Sequence, residues 1–284
     1  GQQWKIILSK VAMRTVIIII LFFLTFILLG MSLIEKKKEN SSEITLKYTL
    51  KYENDSWVKT RTGFLWALSM LGAELPQGSF NRSIIWKNTN TFRLKLDSLG
   101  FNKNALEALK VVCTRLKESE IYKKMGAIEI GHFIASTLGS SWHYYEITEA
   151  PRTYSEFIRL HNYQPLEVFP VTHSTVSKKN RFVTSGFDGS DILKAAYTAE
   201  EGVGNIRNNT FVAKEFNVMD VMKNGQLRFM IYDSTGQLMS SADEYFGFSG
   251  KPAKCLWCHE VNVQTVFEPT DSVPGYTGPV SFDR

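Results

Sequence analysis

Two cysteines and a histidine stand in the order Cys255-Leu256-Trp257-Cys258-His259. Thiols three positions apart, followed at once by an imidazole, can work as one unit. Each sulfur can close a thioether with a vinyl group on one edge of a porphyrin, while the imidazole reaches the iron at its centre. With 3 Cys and 5 His in 284 residues, the pattern arises by chance about once in 2,000 such chains. It is therefore read as attachment of one covalent haem, with His259 as the proximal iron ligand. Three other chemistries use a Cys-x-x-Cys pair. A structural zinc site needs four ligands, and only one pair is present, so Cys113 and a distant histidine would have to complete it. A redox dithiol sits at the start of a helix after a strand, in an alternating α/β pattern that does not surround Cys255. A disulfide across two residues closes too small a loop to stabilise much.

The rest of the chain must hold this pentapeptide. A composition of 44% apolar and 21% charged residues is that of an ordinary folded protein. The net charge of +5 is spread thinly, without the dense basic tract that nucleic-acid recognition favours, so no nucleic-acid partner is expected. Cys113 lies on an apolar stripe and reads as a small buried hydrophobe. Thr15 to Ile34 is a run of 20 uncharged residues, long enough for a hydrocarbon core of about 30 Å. Its length and poor cleavage site favour an uncleaved membrane helix over a signal peptide. Flanking charges leave its orientation open, with Lys5, Lys10 and Arg14 before it and Lys36, Lys37 and Lys38 after it. The haem motif decides the matter, because haem is attached to such cysteines on the outer side of the bacterial inner membrane. The expected organisation is a short cytoplasmic flank (1–14), a transmembrane anchor (15–34), a linker (35–59), a helical region (60–164) and a β-rich haem domain (165–284). The lipid bilayer is then a partner and the folded part is periplasmic.

The fold class expected is α+β, a helical half followed by a β-rich half. Gly63 to Leu75 is apolar enough to pack as a helix and stops before Pro76 and Gly78. Asn104 to Glu118 carries Ala105, Leu109, Val112 and Leu116 at helical spacing, with Asn102 or Asn104 as N-cap. Ile121 to Leu138 repeats that pattern, so the two make an αα-hairpin. Ile44 to Tyr52 alternates apolar and polar residues, as a short strand or a stalk would. Beyond Pro151, Asn209 to Phe216 and Gln226 to Tyr232 read as strands, the second bounded by the turn signals Asn224-Gly225 and Ser234-Thr235-Gly236.

The pentapeptide makes the chain resemble the c-type cytochromes. The order of strand, hairpin and terminal CLWCH resembles, in layout, β-rich mono-haem cytochromes whose motif lies near the C-terminus, a group that includes hydroxylamine-oxidising cytochromes with a lysine cross-linked to the haem. That resemblance implies a haem c cofactor and makes Lys214 the residue to test for a cross-link, against the ordinary reading of an outward-facing strand lysine. In small all-helical cytochromes a methionine some tens of residues after the motif binds the iron, but the 25 residues after His259 hold no Met, His, Lys or Cys. A sixth ligand must come from upstream, from His132, His143, His161, His173, Met219, Met222, Met230 or Met239. His173, just after Phe169-Pro170 at the entrance to the β-rich half, is taken as the candidate. Three functions remain open: electron transfer to a redox partner protein or a respiratory-type membrane complex, an oxidoreductase or gas-binding protein with an open distal site, and an accessory subunit whose haem is structural.

Overall fold

The computed structural model describes residues 42–49, 56–74, 83–88, 90–171, 176–178, 181–186, 191–205 and 208–259. Thr15–Ile34, with the expected membrane helix, lies outside these residues, and so does His173. Everything below belongs to the unit that begins at Ser42.

Chain order gives strand β1 (Glu43–Lys47), helix α1 (Trp57–Met70), strands β2 (Ile84–Trp86) and β3 (Thr91–Lys95), helices α2 (Lys103–Lys117) and α3 (Glu120–Met125), strand β4 (Ile128–Glu129), and helices α4 (Ile130–Ser136), α5 (Ser141–Ile147) and α6 (Tyr154–Leu160). Strands β5 (Glu167–Val171), β6 (Arg181–Ser185), β7 (Ala196–Val203), β8 (Val212–Val221) and β9 (Leu227–Asp233) follow, and then helix α7 (Pro252–His259). The described residues thus form an α+β fold of seven α-helices and two sheets.

Two parts of the expected fold class are corrected. First, no helix among the described residues is long and apolar enough to cross a membrane. The longest, α2, has 15 residues against the roughly 20 that a bilayer requires, and it turns only a stripe of Ala105, Leu109, Val112 and Cys113 into the core. Second, the half expected to be helical carries a sheet of its own, in the order β2-β3-β1-β4, with β1 and β4 parallel. The alternation in Ile44–Lys47 is a strand, because Ile44 and Leu46 point into the core while Glu43, Thr45 and Lys47 do not. The second helix of the expected αα-hairpin is broken into α3, β4 and α4. Gly126 takes φ +64° to cap α3, a conformation glycine adopts without strain, and the Glu129 carboxylate then accepts the His132 amide to start α4. Aromatic rings join these pieces: Phe64 of α1 lies 5.0 Å from Phe92 of β3 and 5.7 Å from Phe133 of α4, centroid to centroid.

The second sheet is an antiparallel meander, β5-β6-β7-β8-β9. The β8–β9 hairpin is the one the sequence announces, with Gly225 at φ +85° in its turn. Register sorts its side chains into two faces. Thr184, Thr198, Phe216, Asp220, Arg228 and Tyr232 look toward α5 and α6. There Tyr154 stacks on Phe216 at 4.3 Å, the Tyr163 hydroxyl bonds Thr184, and the Tyr232 hydroxyl donates to the Pro151 carbonyl. The opposite face carries Arg181, Val183, Tyr197, Ala199, Glu201, Glu215, Asn217, Met219 and Phe229.

Candidate functional site

Helix α7 lies against this second face. Pro252 starts it at a position where no amide is needed, and Leu256, 2% exposed, fixes it to the core. The spacing then decides what the remaining residues do. Cys255, Cys258 and His259 are three and four residues apart and so share one side of the helix. Cys255 is half-buried, whereas Cys258 and His259 are exposed. The His259 ring lies 5.2 Å from that of Phe229 on β9. Trp257, between the cysteines, turns outward and is 79% exposed.

Between α7 and the sheet is a cleft with about 810 Å³ of empty space, part of it open to solvent. Val183, Ala199, Met219, Phe229 and Phe248 make most of its wall apolar, and Cys255, Cys258 and His259 form its rim. Two polar side chains interrupt the wall. Arg181 Nε and Asn217 Oδ1 are buried without a hydrogen-bond partner among the described residues, and both residues line the cleft. An arginine in the wall of an otherwise apolar cleft suits a ligand with a flat apolar body and a carboxylate substituent, features that a haem has. The donor set fits as well, with two thiols and an imidazole on one helix side.

The rivals for the cysteine pair fare differently. Both thiols are unbridged. Among the described residues no group of three or more His, Cys, Asp or Glu side chains lies close enough to hold a metal ion, so the zinc reading lacks its ligands there. A redox dithiol needs a lowered thiol pKa, but burial, with Cys258 adding to it, pushes the Cys255 thiol up to about 12. Cys255 is the fourth and Cys258 the seventh residue of α7, so the first thiol does not stand at the helix N-terminus. Cys113 is likewise pushed up to about 12 by burial and acts as a core residue.

Of the candidate sixth ligands, Met219 is the one whose strand position faces α7, in the cross-strand row Tyr197–Met219–Phe229. Met230 also lines the cleft, but its strand position is in the row that faces the helices. His161 is bonded to Asp220 on that same far side at 2.8 Å, His143 to the Ser136 carbonyl, and His132 is exposed on α4. Met222 packs beside Gly72, and Met239 is tied by its backbone to Ile231 and Tyr145. Lys214 is exposed on β8 and is not part of the cleft wall.

Sequence reasoning missed the acidic end of the cleft face. Glu201 and Glu215 are cross-strand partners beside a register shift in β7–β8, 1% and 2% exposed. The Ser177 hydroxyl and Arg181 donate to Glu201; the Asp243 amide at 2.6 Å and the Asn217 side chain at 2.8 Å donate to Glu215. Burial raises both carboxyls above the ordinary range. The donors only partly offset this, and the Glu201 charge adds to the rise at Glu215. A carboxyl raised in this way contributes stability that is fully present below its unfolded value near 4.5 and is lost as pH rises through the folded value. Glu215→Gln is therefore expected to become more stable relative to the unsubstituted protein above that pH, by up to about 1.4 kcal/mol per pH unit within the window. Urea midpoints at a series of pH values check this, and parallel curves for the two proteins would contradict it.

No family model, no curated protein and no solved structure matches this chain.

Proposed function

We propose that this protein is a mono-haem c-type cytochrome that passes single electrons to and from a partner protein. The observation that carries the reading is the sharing of one side of α7 by Cys255, Cys258 and His259 at an apolar cleft. Bound there, a haem supplies a one-electron couple. The protein's own residues do the rest. Cys255 and Cys258 hold the group through their sulfurs, and His259 offers its imidazole to the iron. Arg181 lines the cleft as a donor for one of its carboxylates, while Val183, Ala199, Phe229 and Phe248 exclude water and so favour the less charged reduced state. Because haem is attached to such a motif on the outer side of the bacterial inner membrane, the reading places the folded unit there. Trp257, Tyr245 and Phe248 are exposed around the motif and give a redox partner an apolar surface beside the cleft.

Six-coordination separates a carrier from an enzyme with an open distal position. With His173 outside the described residues, Met219 is the side chain that the sheet turns toward α7. The haem-loaded protein is expected to be low-spin, and Met219→Leu, close to the native side chain in volume, is expected to turn it high-spin while the haem stays covalently attached. Absorption and electron paramagnetic resonance spectra read both states. High-spin iron in the unsubstituted protein would replace this reading with that of an oxidoreductase or gas-binding protein.

A further inference from the structure

The Glu201–Glu215 pair does not serve the attachment chemistry, yet it is built into the same sheet face as the cleft. Two carboxylates that are cross-strand neighbours repel each other, and in a shared buried site one of them is held back from ionising. Arg181 supplies one positive charge, at 3.3 Å from Glu201, which balances one carboxylate and not two. Among the described residues, the other charges that face the pair do not supply the second. Asp233 is opposite Glu215 on β9, and Asp243, just ahead of α7, adds to the negative side. Lys178, next to Ser177, turns its ammonium to the Glu244 carbonyl and the Phe248 ring, and Lys254 of α7 turns its own to the Phe248 carbonyl. The pair is also connected to the cleft. Arg181 and Asn217, which bond the two glutamates, also line the cleft.

We propose that Glu201 and Glu215 together bind a proton more tightly when an electron occupies the neighbouring cleft, so that redox change here is proton-coupled. This rests on the haem reading above. One electron enters from an external one-electron donor, and one proton from solvent forms an O–H bond on a carboxylate of the pair, so the local charge is unchanged; oxidation releases both. The two carboxyls titrate as one unit, and the proton belongs to the pair.

The test is a spectroelectrochemical titration of the full chain, with covalent haem first established by its spectrum, from about pH 5 to about pH 8. The expected result is a potential that falls as pH rises, with a slope approaching a tenfold change in the redox equilibrium per pH unit, about 59 mV for a one-electron couple, and a loss of that slope in Glu215→Gln. Haem-loaded protein with a pH-independent potential, or a slope that survives in both Glu215→Gln and Glu201→Gln, overturns the inference and leaves the haem reading standing. Protein that carries no haem overturns both. Should the variants not fold, an infrared difference spectrum of the unsubstituted protein decides between the same outcomes. A protonated-carboxyl band gained on reduction supports the proposal, and its absence overturns it.

Discussion

A chain with both Cys255 and Cys258 changed to serine is expected to carry no covalent haem at all, whereas the unsubstituted chain made alongside a haem-attachment system carries one per polypeptide. A serine hydroxyl can neither form a thioether nor bind soft partners as a thiolate does, so the loss is complete and not graded. The fold is expected to survive. Cys258 is exposed and Cys255 only half-buried, and α7 is held to the core chiefly by Leu256 and Pro252. Haem-dependent peroxidase staining on a denaturing gel reads the attachment, and circular dichroism reads the fold. A double variant that still stains would show that the pentapeptide is not the attachment point.

The second large effect lies on the far side of the same sheet. Arg228 is buried with every arm engaged: Nε and Nη2 hold Asp220, and Nη1 donates to the carbonyls of Thr148 and Glu149 at 2.8 and 2.9 Å. Asp220 is 0% exposed and also receives His161. Burial alone would raise the Asp220 carboxyl, but the Arg228 charge and the His161 hydrogen bond outweigh it and hold the group below its ordinary value. Arg228→Met leaves a buried carboxylate with half its partners gone and two carbonyls at the end of α5 without a donor. Removing one member of such a pair costs about 3–5 kcal/mol, a large fraction of the roughly 5–15 kcal/mol that keeps a domain folded. The same geometry also makes part of that cost recoverable. Asp220→Leu in the Arg228→Met background is expected to recover the part of the loss due to the unpaired carboxylate, while the Thr148 and Glu149 carbonyls and His161 stay without these partners. Denaturant midpoints of the single and double variants measure this, and a double variant no better than the single one would place the cost elsewhere. The pH dependence follows from the lowered carboxyl: its contribution is present above the unfolded value near 3.8 and is lost as pH falls through the folded value. Function follows stability here, because this cluster binds α5 and α6 to one face of the sheet whose other face shapes the cleft.

How much of this was legible beforehand varied with the range of the interactions. The pentapeptide needed only neighbours in sequence, and Asn224-Gly225 announced the β8–β9 turn because the backbone there has few other choices. The Asn102 cap and the apolar stripe of α2 were equally local. What could not be read depended on pairing between distant segments. The parallel contact of β1 with β4 joins Leu46 to Ile128, and no local pattern signals it. The helical spacing of Ile121–Leu138 was real, but Gly126 and the β4 pairing overrode it. Asp220 and Arg228 sit in a strongly apolar hairpin where their parity would suggest an error, and only partners from distant segments explain them: His161 for Asp220 and the Thr148 and Glu149 carbonyls for Arg228. The Glu201–Glu215 pair escaped notice for a related reason. Each is an ordinary strand acid until the register places them opposite each other on the inward face. The same register separates Met219, which faces α7, from Met230, which does not, a distinction that composition cannot make.

The most direct test of the whole account is the intact mass of the full chain after acid-acetone extraction, made with haem-attachment machinery present. Thioether-bonded haem stays with the polypeptide through this treatment, so the account predicts a single species heavier than the bare chain by one haem. A polypeptide at its unmodified mass, with any haem or metal washed away, would contradict it.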